Sequence, residues 1–308
     1  MATEGAKVGP SPTERRGSYG ARRKRVPYYL LGPSGGYLFV FLIIPLCILV
    51  YTSLQSGGLL SGGFHFTWNF SNYTEQLSQY QTQFVRAIVY SIIVTVVALL
   101  LAYPMTYWIA FYAGKWKSSI LLLILLPFFV SFVIRTIQWK FLLGDNGLIF
   151  GPLKDLGLLP QDFRVLATPF AVIAGMTYNF IPFTALPLYV ALERIDKRLV
   201  EAAKDLYSSR WEAFRHVVWP LSLPGVFAAF LLTFVPATGD YVNASVLGGP
   251  GTTMIGNIIQ EKFLVELQYP AAAALSVVLM VIMLILASLY ARVLGTEDAA
   301  LTAGAAGG

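Results

Sequence analysis

The chain has 308 residues and a formal net charge of +6; 56% of its residues are hydrophobic and only 12% are charged. Soluble domains carry roughly 25% charged residues, so this composition excludes an ordinary water-soluble domain and makes a bilayer the solvent for most of the chain. Cys47 is the single cysteine, which excludes an intrachain disulfide, and in its apolar run it reads as a small buried hydrophobe.

Taken in chain order, residues 1–29 form a Gly-, Pro-, Ser- and Arg-rich segment with Arg15, Arg16, Arg22, Arg23, Lys24 and Arg25, expected to be a disordered basic tail. The apolar run from Tyr37 to Leu54 is too long for the core of a signal peptide and ends in no small-residue cleavage site, so it reads as a retained membrane helix. A span needs roughly 20 apolar residues. Six segments approach this: Gly36–Ser53, Ala87–Tyr107, Ser119–Thr136, Leu166–Leu192, a short Gly225–Thr238 that could extend to Leu247, and Ala271–Leu294. Pro104, Pro127 and Pro182 fall inside them, which membrane helices tolerate because neighbours satisfy the freed carbonyls. The expected architecture is all-α and integral to the membrane, with about six transmembrane helices over residues 30–295 and a flexible tail over 296–308. No internal repeat divides it.

Charge orients the spans. The N-terminal tail, Lys115 with Lys117, and the block carrying Arg194, Lys197, Arg198, Lys204, Arg210 and Arg215 alternate with poorer loops; Ser56–Gln83 has no Lys or Arg at all. Basic loops stay in the cytoplasm. This places both termini and the charged block inside a cell (inner or plasma) membrane.

The block at 193–222 is built as structure rather than as linker. Ile195, Leu199, Ala202 and Leu206 recur at helical spacing, and Trp211, Phe214, Val217 and Val218 make a second apolar stripe. Ser209 and Glu212 have the spacing of a capping box, and Pro220 is expected to stop the second helix, giving two amphipathic helices with a turn near Tyr207–Ser208. The pair suits either a lipid surface or a protein partner. Glu193, Asp196, Glu201, Asp205 and Glu212 nearly balance the basic residues, which suits a protein better.

Glu201-Ala202-Ala203, followed by Asp205-Leu206 and then by Pro220-Leu221 and Pro224-Gly225, resembles the EAA loop of binding-protein-dependent ABC import permeases. The loop falls between spans four and five, where that family has it. The resemblance implies a coupling helix docked on a cytoplasmic ATPase, with Glu201, Ala202, Ala203, Asp205, Leu206 and Tyr207 as the coupling residues. The family usually has Gly at the position of Tyr207, so the turn here departs from its pattern. LLPFFVSFVIRTIQWKFLLGDNGLIF (Leu125–Phe150) and TGDYVNASVLGG (Thr238–Gly249) are similar to the spermidine/putrescine permeases, though iron, thiamine and phosphonate permeases share related segments. The implied assembly holds a homologous second permease, two ATPase subunits that bind ATP and Mg, and an external substrate-binding protein. It implies no cofactor in this chain and no nucleic acid. The cargo expected is a polyamine; ferric iron, thiamine, phosphonate or sugar remain alternatives within the same class, and a secondary transporter or membrane enzyme outside it.

Arg135 and Asp240 are the ionisable residues nearest the bilayer core, where charges find partners or face cavities. Asp240 reads either as a carboxylate on a cation pathway or as a structural group at a helix end, capping it or pairing with Arg135. Trp139, Tyr178, Phe180 and Tyr241 offer ring faces to a passing cation or belong to an interfacial belt. His65 and His216 are too isolated to hold a metal, GGPGTT (Gly248–Thr253) lacks phosphate-loop spacing, no nucleotide-binding P-loop occurs, and no constellation is catalytic.

Overall fold

The structure is a computed structural model, and it describes residues 33, 35–58, 62–206 and 209–305. The tail expected over 1–29 and the turn at Tyr207–Ser208 lie outside the described residues. Helix α1 (Gly35–Ser53) is a span with none of its apolar window buried within the chain, and Cys47 on it is exposed rather than buried. A hairpin follows: β1 (Gln55–Gly58) pairs antiparallel with β2 (Gly63–Phe66), Gln55 opposite Phe66. After the short polar α2 (Ser71–Gln79) comes α3 (Gln81–Tyr112), which runs through Pro104.

The third expected span is broken. A short 3₁₀ turn (Gly114–Trp116) and α4 (Lys117–Leu125) lead into a second 3₁₀ turn (Leu126–Phe129), and the chain then bends by 92° into α5 (Phe132–Leu143). The expectation of one helix over Ser119–Thr136 is therefore corrected. Pro127 cannot donate a backbone bond, and Val130 and Ser131 are extended, with ψ of 137° and 135°.

Beyond the small α6 (Phe150–Asp155), α7 (Pro169–Glu193) crosses as expected, starting at a Thr168 cap whose hydroxyl accepts from the Ala171 N–H. Then come α8 (Lys197–Leu206) and α9 (Arg210–Ala213). Pro220 does not stop the second helix. Arg210–Thr238 is one continuous span, because a π turn at Phe214–Val218 joins α9 to α10 (Trp219–Thr238). A π turn widens the backbone by one residue, so the Pro220 ring and its missing N–H fall at a place where the i−4 bond is already interrupted. The fifth span is longer than Gly225–Thr238 for the same reason. The remaining helices are α11 (Val242–Leu247), α12 (Ile255–Leu264) and α13 (Tyr269–Ala305), whose apolar span is Tyr269–Tyr290. Helix α13 passes the boundary expected at 295 without a break, consistent with its Ala-rich end.

Helices α3, α7 and α10 pack together as the core. Small residues make this possible. On α3, Ala87, Ser91, Thr95, Ala98, Ala102 and Thr106 form one buried stripe, and the hydroxyls of Ser91, Thr95 and Thr106 each donate to the carbonyl four residues back at 2.7 Å. Thr184 of α7 and Thr233 of α10 share a hydroxyl–hydroxyl bond of 2.8 Å. Gly225 lets α10 lie on α7, since a Cβ there would meet the Ala191 side chain and the Pro187 carbonyl.

Candidate functional site

Two regions carry the residues singled out from the sequence. The first is the end of the bundle where α7 gives way to α8. Asp196 caps α8, its carboxylate accepting from the Arg198 N–H at 2.9 Å. One face of α8 buries Val200 and Ala203, at 6% and 3% exposure. Val200 joins Leu192, Ile195, Val218 and Ala110, with Tyr107, Phe111 and Phe214 packed around them. Of the apolar stripe expected at Ile195, Leu199, Ala202 and Leu206, Ile195 is buried, while Leu199 and Leu206 are 52% and 81% exposed and Ala202 is exposed beside them, so most of this stripe stays open to a lipid surface or a protein partner. The helix has two apolar stripes, and the chain itself uses the one through Val200 and Ala203.

Glu201, Ala202, Asp205 and Leu206 join Leu199 on the exposed side, with Trp211 68% exposed nearby. Glu201 stands at the rim of a small pocket with Tyr107, Tyr112 and Lys197. The two alanines divide the work: Ala203 packs inward and Ala202 keeps the outer face low. Tyr207 lies outside the described residues. Ser209 caps α9, its hydroxyl accepting from the Glu212 N–H at 3.2 Å, and it also donates to Glu212 Oε2 at 2.8 Å; the reciprocal bond of a full capping box, from the Ser209 N–H to Glu212, is not among the bonds of the described residues. Phe214 is the joint of this region. Its ring meets Tyr103 and Tyr107 of α3 edge-on at 6.0 and 5.7 Å and stacks on Trp211 at 5.4 Å. Lys117 and Glu193, 2.7 Å apart, tie the loop after α3 to the end of α7.

The second region lies around the bend of α5. A pocket of about 510 Å³ is lined by Val130, Arg135, Gln138, Trp139, Leu148 and Tyr178 among others, so three of the expected residues meet there. The Trp139 and Tyr178 rings are 5.5 Å apart. Arg135 is 8% exposed and lies 5.6 and 5.7 Å from the Phe128 and Phe132 ring centres. Asp240 and Tyr241 do not line it. The expected Arg135–Asp240 ion pair is not among the ion pairs of the described residues. Asp240 Oδ1 instead accepts from the N–H groups of Val242 and Asn243, at 2.8 and 3.1 Å, and Oδ2 accepts from the Asn243 amide at 2.5 Å. A carboxylate at the start of a helix is satisfied by such orphan donors, so Asp240 takes the capping role that stood as the alternative to the Arg135 pair. Tyr241 is 43% exposed, and its carbonyl accepts from Asn257.

Sequence reading missed a buried polar knot. Asn243 Oδ1 accepts from Asn179 at 3.1 Å and from Thr136 at 3.3 Å, and Asn179 also donates to Thr136 Oγ1 at 3.0 Å. Together with Asp240 it pins α5, α7 and α11 to one another. Gly175 makes room for α11, since a Cβ there would strike Leu247 and crowd Asn243. Two amides in otherwise apolar segments were the available signal, because such groups are rarely buried in a membrane without partners.

Compared with known proteins, residues 87–294 match the family described as binding-protein-dependent transport system inner membrane component. Over 178 residues, 58% of this chain, the sequence is 39% identical to the spermidine/putrescine transport system permease protein PotB of Haemophilus influenzae and 35% identical to PotB of Escherichia coli. It is 31% identical over 200 residues to the inner membrane ABC transporter permease protein YdcU of Escherichia coli, covering 61% of this chain. These matches span 62%, 65% and 63% of the respective relatives, less than two thirds of each. Among solved structures, the fold is similar to a bacterial ABC transporter involved in the import of the acidic polysaccharide alginate. There the TM-score is 0.61 at 21% identity, covering 91% of this chain and 99% of that one. The same type of transporter, in complex with an alginate pentasaccharide-bound periplasmic protein, gives 0.65 at 20% identity, with 88% and 94% covered.

Proposed function

The chain belongs to the family of binding-protein-dependent transport system inner membrane components, and we propose from this that it is a permease subunit of a type I ABC importer that moves polyamines inward. In this reading it works beside a homologous second permease, two ATPase subunits that bind ATP and Mg²⁺, and an external substrate-binding protein. The chain itself hydrolyses nothing. Both termini and α8 lie in the cytoplasm, following the distribution of Lys and Arg.

The observation that carries the coupling role is the two-faced α8. Val200 and Ala203 anchor it to the bundle, while Glu201, Ala202, Asp205 and Leu206 stay open. Such a helix offers an ATPase a low, acidic and partly apolar surface. Movement imposed on it passes through Phe214 to Tyr103 and Tyr107 of α3 and, by the continuous helix, to α10. Nucleotide shifts the transporter between states only through its differential affinity for them, and this path lets that difference reach the spans. The polyamine cargo is supported by the 39% identity to a spermidine/putrescine permease. Reconstitution with the ATPase and the binding protein tests the function: spermidine should stimulate ATP hydrolysis. A cognate binding protein that ignores polyamines while binding another solute would remove the cargo.

A further inference from the structure

Among the described residues Arg135 is a cation without an anion. It is 8% exposed, its Nε and Nη1 are enclosed and make no hydrogen bond, and Phe128 and Phe132 supply only ring faces. Cation–π contact offsets part of the cost of such a charge, but a buried ion without a counter-ion is strongly unfavourable. The carboxylates closest to it in role are engaged: Asp240 by three donors at the start of α11, and Asp145 by Lys154 and Arg164 at 3.2 and 3.3 Å. No carboxylate of the described residues pairs with Arg135, which leaves the pocket it lines as the route by which an anion would reach it.

The pocket narrows the choice. Among its described lining residues Arg135 is the one ionic group, with the Gln138 amide as a second polar contact and rings or apolar side chains as the walls. One guanidinium fits one carboxylate, which it can hold in two parallel bonds. A phospholipid phosphate would draw further basic groups. The rim is strongly apolar, with Phe141 68% and Leu148 84% exposed, as in the core of a subunit interface. The cargo cannot be the ligand, since a polycation is repelled by Arg135.

We infer that the Arg135 pocket receives a carboxylate side chain of the second permease subunit, making this ion pair a lock between the two permeases. The inference rests on the paired-permease reading given above. Neutralising Arg135 also removes the repulsion that a polyamine passing Trp139 and Tyr178 would otherwise meet.

The test uses the complex co-expressed with its second permease and ATPase. Arg135→Gln should cut the second permease recovered with this chain at least tenfold, while the melting temperature of the separated chain stays level or rises. A merely structural arginine would lower that melting temperature. Arg135→Lys should restore much of the assembly. In that variant dicyclohexylcarbodiimide should join the chains: it activates the carboxyl, the lysine amine displaces the urea, and an amide bond between the subunits results. Normal assembly of Arg135→Gln, or no cross-linked product in Arg135→Lys, overturns the inference. So does native mass spectrometry showing that Arg135→Gln sheds a phospholipid and keeps the second permease. If the unaltered chain carries no second permease, the paired reading itself fails and takes the inference with it.

Discussion

Val200 and Glu201 are neighbours in sequence on α8 and differ in burial: Val200 is 6% exposed and packs with Tyr107 and Phe214, and Glu201 stands in solvent. A charge reversal at Glu201 should therefore leave the bundle intact. Glu201→Lys is expected to insert and melt normally in detergent but to lose the co-purifying ATPase and substrate-stimulated ATP hydrolysis. Unchanged coupling at normal expression would remove α8 as the docking helix.

Phe214 should act in the reverse sense. Its ring joins α3 to the α9–α10 helix, so Phe214→Ala opens a cavity at a half-buried joint and should cost about 2–3 kcal/mol. Expected are a lower melting temperature and, in the protein that remains folded, bound ATPase with weakened transport. A variant as stable and as active as the parent would show that the ring transmits nothing.

Asp240 is expected to matter for stability first. Asp240→Asn replaces an oxygen that accepts from the Asn243 amide with a group unable to accept, leaving a buried donor unpaired at roughly 1–3 kcal/mol. Melting temperature should fall, and spermidine uptake should fall only in proportion to folded protein. A stable variant with abolished uptake would return Asp240 to the cargo pathway.

The two ends of the bundle can be told apart directly. Lys117–Glu193 ties the loop after α3 to the end of α7, and the Phe64 and Tyr269 rings, 5.4 Å apart, bring the hairpin to the start of α13. A reporter active only in the cytoplasm should work when fused after Arg16, Lys115, Arg210 or Thr296 and fail after Gly63, Lys154 or Lys262. A cytoplasmic signal at Gly63 would invert the orientation.

Much of this architecture was legible because hydropathy and local hydrogen bonding act over short distances. The long spans showed as apolar runs, and Ser209 with Glu212 showed as a cap because both partners lie within one turn. What escaped depended on the backbone or on distant partners. The π turn at Phe214–Val218 leaves no residue signature, so Pro220 read as a stop. Pro127 looked like other tolerated membrane prolines, although the chain breaks just beyond it. Helix α8 carries two apolar stripes one residue out of phase, and only the aromatic end of α3 selects Val200 and Ala203. The Asn179–Asn243 bond spans 64 residues, so no local pattern announced it.

The central claim is that this chain passes a polyamine inward on ATP hydrolysed by another subunit. It is tested most directly by labelled spermidine uptake into liposomes holding both permeases and the ATPase, with the binding protein outside and ATP inside. The account predicts accumulation that requires ATP and the binding protein and is abolished by Glu201→Lys. Uptake that continues without ATP, or an assembly that hydrolyses ATP with another solute and leaves spermidine outside, would contradict it.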